Sequence, residues 1–328
     1  MTNLINSYEL RSSEFHRTPS AARSEYFTLP TDSANSLKSD GFASRFPRNL
    51  LPPSSPELCY TMFMSLVNDK PWIERNPVYF YPESKKTAVI IDPRYDVLME
   101  AVIRNFMYFM NPEGWNLRIV SYSGYKDQIL RDFPNCQFDA IDENQIRIDE
   151  KGIPNITIDY YNSLCTSLSF WEKMTEKVVI FQKDCIMFRM FPSYFINYDF
   201  AGANFYGAVS PRYGGLNGGF SLRTRSAMID CIRHVSAIRM YAYNPAIVSD
   251  KDKLNEDVFF THACEILHKL VPDPIHRAFF AIENDYNEQT AVFHGWDKYT
   301  KHPDFMAKML IQSPLFSRYI RADVPRTP

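Results

Sequence analysis

Glycine is scarce in this chain, 11 in 328 residues, and six of the eleven fall between Gly202 and Gly219. An excess of charge is missing too: 36 basic against 38 acidic residues leave a net charge of −2, which excludes the broad basic field that holds nucleic acid. No apolar run approaches the roughly 18 residues a membrane span needs. The N-terminus, with Glu9, Arg11 and Glu14, lacks the apolar core of a signal peptide. The six cysteines lie at least 20 residues apart, with no CxxC and no Cys/His cluster at zinc-finger spacing, as expected of reduced thiols. A soluble, cytoplasmic, non-secreted protein is therefore expected, in which the acceptor-like triplet Asn155-Ile156-Thr157 carries no sugar. Neither a G-x-G-x-x-G fingerprint nor a GxxxxGK[ST] phosphate loop occurs, and Gly214 to Gly219 does not follow the first strand.

What is present divides the chain unevenly. Residues 1–55 hold eleven serines, five prolines and one glycine with no apolar period, the pattern of a flexible or wrapping extension. Residues 56–84 are rich in proline and aromatics and suit an irregular packing segment. The remainder alternates short apolar runs with helical periods. Strands are expected at Thr87–Ile91, Leu117–Ser121, Ile156–Ile158 and Lys177–Gln182. Helices are expected at Val97–Met110, Asn162–Met174 and Asp257–Leu270. That alternation predicts an α/β sheet with parallel strands, whose ligands sit beyond the strands' carboxyl ends. Asp92, Arg94 and Asp184 lie at such ends.

Four groups carry candidate chemistry. Asp184, in Gln182-Lys183-Asp184 after the run VVIF, suits a divalent cation that neutralises a diphosphate, or else is a turn aspartate. Asn217-Gly218-Gly219, read as a loop, offers backbone amides to a sugar or phosphate, or merely connects two elements. Glu256-Asp257 at a helix start suits a general base, although the helix dipole and an Asn255 cap already account for acids there. His294, beside Gly295 and followed by Trp296 and Lys298, suits an anionic or ring-bearing ligand, or is a structural histidine.

Taken in order, the first strand with DPR (Asp92 to Arg94), the segment Ile158 to Glu172, VVIFQKD, AGA (Ala201 to Ala203), NGGFSLR and NEDVFF resemble DUF5672, a family similar to glycosyltransferases of the GT-A fold. The likeness spans about residues 85–300. It implies a Rossmann-like GT-A domain over 85–310 with a mixed, mainly parallel sheet, followed by a tail at 311–328. It implies a Mn²⁺ or Mg²⁺ ion on Asp184 and His294, with Gln182 standing where that fold has the first acid of an Asp-x-Asp. It places Asp92, Arg94, Asn162, Gln182, Asn217, Gly218, Gly219, Arg223, Trp296 and Lys298 near a nucleotide-diphosphate sugar. It makes Asp257 the general base, with Glu256 the competing candidate.

The expected activity is metal-assisted, inverting transfer of that sugar to a hydroxyl on a glycan, protein or small molecule, with no nucleic acid and no membrane span involved. Two rivals remain open. A non-catalytic GT-A module that binds glycans or a partner is favoured by the amide at Gln182. A sugar nucleotidyltransferase would need a glycine-rich basic signature after the first strand, where this chain has Asp92-Pro93-Arg94-Tyr95.

Overall fold

The computed structural model describes residues 74, 76–205, 213–235, 254–296 and 302–313. The expected extension at 1–55, most of 56–84, Lys298 and residues 314–328 lie outside them. A six-stranded sheet runs in the order β3 (Gln137–Ala140), β2 (Asn116–Ser121), β1 (Lys86–Ile91), β6 (Lys177–Phe181), β9 (Gly215–Thr224), β8 (Phe200–Phe205). The first four strands are parallel, and β9 runs antiparallel to both β6 and β8. This is the mixed, mainly parallel α/β sheet the sequence predicts.

Its strands alternate between two cores. Ala88 and Ile90 of β1 face the first, with α1 (Val97–Met110), whereas Val89 and Ile91 face the second. The second core also takes side chains from α3 (Ile158–Cys165), α4 (Leu168–Glu172), α5 (Arg225–His234) and α6 (Glu256–Ile266). Both faces of the sheet are thus covered, which is why its central strands read as continuous apolar runs. Within the first core Phe106 stacks on Phe181 with centroids 4.3 Å apart. The α1 helix begins where Asp96 accepts a hydrogen bond from the Met99 amide at 2.9 Å, an N-cap contributing about 1 kcal/mol.

Three elements depart from expectation. The helix predicted over Asn162–Met174 is two short ones, because Thr166 and Ser167 turn their hydroxyls onto the carbonyls of Asn162 and Leu164, each at 2.8 Å. Ser167 then caps α4 by accepting from the Phe170 amide. No strand forms at Ile156–Ile158. The bridge there is β4 (Arg147–Ile148) with β5 (Pro154–Asn155), and Thr157 caps α3 instead. Finally, α6 stops at Ile266 rather than Leu270, since His268 adopts a left-handed φ of 51°.

The glycine-rich stretch is the largest correction. Where it is described, Gly202 lies in β8 and Gly215, Gly218 and Gly219 lie in β9, so Asn217–Gly219 is strand rather than loop, and β9 is buried throughout. Gly202 pairs with Ser221 and Asn204 with Leu216, two steps along β8 against five along β9. Three extra residues of β9 therefore bulge between Leu216 and Ser221. Pairing of β6 with β9 ends at Phe181 opposite Phe220. The bulge at Asn217–Gly219 thus overhangs the carboxyl end of β6, where Gln182 to Asp184 lie.

Candidate functional site

Beyond Phe181 the chain turns tightly, with the Cys185 amide donating to the Gln182 carbonyl at 3.1 Å, and enters β7 (Cys185–Met187). This strand belongs to a second sheet, β10 (Ala281–Ile282), β11 (Val292–His294), β7, in which His294 is the antiparallel partner of Cys185. That register brings histidine to acid. His294 Nε2 lies 3.6 Å from Asp184 Oδ2 and 3.3 Å from Gln182 Oε1. The Asp184 side chain is 47% exposed and that of His294 8%, so the pair has one open and one closed side. One donor atom each from Asp184, Cys185 and His294 falls within 4.8 Å of the others. The Cys185 thiol donates to the Gly219 carbonyl, with Sγ and oxygen 3.4 Å apart.

Behind the imidazole stands Glu283, buried, with Oε2 4.0 Å from Nδ1. Asn217 links this carboxylate to the bulge: its Nδ2 donates to Glu283 Oε2 at 2.9 Å, and its Oδ1 accepts from the Gly219 amide at 2.7 Å.

The N-terminus of α6 closes on the bulge at Gly218. Asp257 accepts from the Gly218 amide through Oδ2 at 3.2 Å and from the Val258 amide through Oδ1 at 2.7 Å. Burial, and next the neighbouring Glu256 carboxylate, push its pKa up to about 6 against the pull of those hydrogen bonds. Glu256 is differently placed. Buried and 2.6 Å from Arg223 Nη1, it forms an ion pair whose approach is off the hydrogen-bond line. Phe200 and Phe260 lie over the guanidinium, 5.0 and 5.2 Å from its carbon. Burial would lower the Arg223 pKa, but the Glu256 carboxylate outweighs it and holds the guanidinium well above its ordinary value. Arg223 Nε donates to Ser221 Oγ, which donates to the Gly218 carbonyl, so the pair also braces the bulge.

The remaining expected residues separate by place. Asn162 accepts from the Glu256 amide and donates to Asn255 Oδ1, both at 3.2 Å, and so anchors the start of α6, where the Asn255 side chain makes no cap. Gln182 Nε2 donates to Tyr161 OH at 3.4 Å. At the end of β1, Asp92 accepts from the Arg94 amide, Nε and Nη2 at 2.7–2.9 Å, so the Arg94 charge is already matched by a carboxylate. Trp296 donates its amide to the Asp184 carbonyl and packs on the core formed by β7, β11 and α8 (Pro303–Gln312). Cys185 and Glu283 went unnoticed in the sequence. Glu283 carries a signal like that of Asp184, an acid at the end of an apolar run (FFAIE), directly after it where Asp184 follows two residues later. Cys185 carries none beyond adjacency to Asp184.

Residues 145–297 match the family DUF5672, described as a protein of unknown function. The resemblance read from the motifs is thereby borne out over a span that begins after β3 and includes Asp184, Asp257 and His294. No curated protein matches the chain. Among solved structures it is similar to galactosyltransferase LgtC in complex with donor and acceptor sugar analogs, at 10% identity and a TM-score of 0.42, covering 73% of this chain and 100% of that one. It is similar to the glycosyltransferase GlyE of Streptococcus pneumoniae TIGR4, at 10% identity and a TM-score of 0.41, covering 72% of this chain and 64% of that one. Mouse xyloside xylosyltransferase 1 follows at 13% identity and a TM-score of 0.36, covering 64% of this chain and 97% of that one. Among the described residues no helix is long and apolar enough to cross a membrane.

Proposed function

We propose that the chain is an inverting glycosyltransferase that moves a sugar from a nucleotide-diphosphate donor to a hydroxyl acceptor, with Asp257 as general base. One observation carries the reading: the Asp257 carboxylate, whose pKa burial pushes up to about 6, and the Asp184–His294 pair meet the same three-residue bulge, at Gly218 and Gly219 respectively. A base with that pKa is ionised at neutral pH, yet holds a proton well enough to take one from an attacking hydroxyl. Glu256 is spent on Arg223, which leaves Asp257 as the partly exposed acid of the two.

The Asp184 side suits a divalent cation. Its donors are close, its carboxylate opens to solvent, and Gly219 leaves the space in front of the imidazole free of a side chain. Asp184 and His294 would hold the ion, which when bound would neutralise charge on the departing diphosphate. Asn217 and Glu283 fix the histidine's surroundings, and the bulge backbone bounds the sugar.

The amide at Gln182 favours one rival, a module that binds sugar nucleotides without turnover. Titrating the full chain with UDP and GDP sugars, with and without Mn²⁺, while following transfer and hydrolysis, separates the two. Turnover supports the enzyme and binding alone supports the module. No affinity for any sugar nucleotide would sink both.

A further inference from the structure

We infer that Cys185 supplies a thiolate as a third ligand at the Asp184–His294 site, and that the site therefore takes a borderline-soft divalent ion of the zinc class rather than Mg²⁺. The inference rests on the reading that this site holds a cation.

Three observations lead to it. The register of β7 against β11 makes Cys185 and His294 directly opposed partners, and opposed residues carry their side chains on one face of a sheet. Their donor atoms and Asp184 fall within 4.8 Å of one another. Two ligands with bonds of about 2.1 Å to a tetrahedral ion stand about 3.4 Å apart, close to the 3.6 Å between His294 Nε2 and Asp184 Oδ2, and the sulfur, within 4.8 Å of the other donors, has at most about 1 Å to close.

The chemistry of the neighbours agrees. Hard ions take oxygen donors throughout, whereas two of the three donors gathered here are the imidazole nitrogen of His294 and the sulfur of Cys185. Asp184 and His294 alone bring a single negative charge to a dication. A Cys185 thiolate brings a second, and thiolate with imidazole is a donor set that selects zinc-like ions over magnesium. In the binding step the sulfur–hydrogen bond breaks, its proton passes to solvent buffer, and the sulfur lone pair forms the bond to the ion. The hydrogen bond to the Gly219 carbonyl is given up in exchange. Cys185 is fully buried, so the ion reaches it from the open Asp184 side.

The test uses the full chain loaded with one equivalent of Zn²⁺. X-ray absorption at the zinc edge is expected to show one sulfur neighbour at about 2.3 Å among nitrogen and oxygen neighbours. Loading with Co²⁺ is expected to give a near-ultraviolet thiolate charge-transfer band that is absent from both Cys185→Ser and Cys185→Ala. A bound zinc with no sulfur neighbour, or a band that survives in those variants, overturns the role of Cys185 and leaves the cation site standing. Failure of the parent to bind Zn²⁺, Co²⁺ and Mn²⁺ alike overturns this inference and the cation reading together. The zinc-edge measurement needs no variant, so a bound zinc without a sulfur neighbour overturns the role of Cys185 even if both substitutions prevent folding.

Discussion

Gly219 and His294 occupy adjoining space so closely that a Cβ on the glycine would collide with the imidazole at Nε2, Cδ2 and Cε1. The imidazole is buried, so it has little room to yield. Gly219→Ala should displace it from Asp184 and Gln182 and lower cation affinity by roughly 10–100-fold. A Cβ at Gly218 would instead meet Glu256, Arg223 and Asp257. Gly218→Ala should therefore leave cation affinity near the parent's while lowering transfer. Calorimetric titration of both variants with Mn²⁺ and Zn²⁺ checks this, and parent-like affinity in Gly219→Ala would contradict it.

Asp257→Asn removes a base and a partly desolvated charge at once. Transfer should fall by roughly a hundredfold or more with donor affinity retained. Stability should respond with a definite sign. A carboxyl whose pKa is raised on folding holds its proton more tightly in the folded state, so the parent loses stability as pH rises from about 4 through about 6. The variant does not titrate there. Between pH 4 and pH 7.5 the stability difference should move in favour of Asp257→Asn by about 3 kcal/mol at most. Urea denaturation of both proteins at the two pH values measures it, and an unchanged difference would show that the folded protein places no burden on this charge.

The Arg223–Glu256 pair should behave as a unit. Either Arg223→Met or Glu256→Gln leaves one buried charge unmatched and should cost about 3–5 kcal/mol. Replacing both with apolar residues should cost much less than the sum, which a double-mutant cycle in denaturant would reveal. Removing the Glu256 charge also takes away one cause of the raised Asp257 pKa. The acid limb of the pH–rate profile should then move to lower pH in folded Glu256→Gln. An upward move would assign the base to another group.

Gln182→Glu adds a carboxylate next to His294 Nε2, 3.3 Å from the present amide oxygen. Affinity for Mn²⁺ should rise by roughly tenfold or more. Titration followed by the paramagnetic signal of free Mn²⁺ reads this directly, and no gain would place the ion away from residue 182.

Much of this site was legible because one simple rule put it there. An acid in the turn just after a buried apolar run stands near a strand's carboxyl end, and this located Asp184, three residues beyond Phe181. The pair Glu256-Asp257 was visible but undivided, since only the structure gives Arg223 to one and Gly218 to the other. Gly218 and Gly219 misled: scarcity and clustering suggested a loop, whereas these two are bulge residues of a strand, and their missing side chains make room for Glu256 and His294. A bulge breaks the period of two on which a strand is recognised, so β9 left no pattern to read. Cys185 was hidden because its relation to His294 is a matter of register between strands more than a hundred residues apart.

The bulge leaves the Gly218 and Gly219 amides donating to side chains, one to Asp257 and the other to Asn217, which also holds Glu283. Glycine amides resonate at characteristically low nitrogen frequencies, and this chain has only 11 glycines to crowd that region of a spectrum. Two neighbouring peaks would thus act as built-in reporters, the first following the proton on Asp257 and the second the carboxylate behind His294. The two halves of the site can be watched separately in solution with nothing attached to the protein.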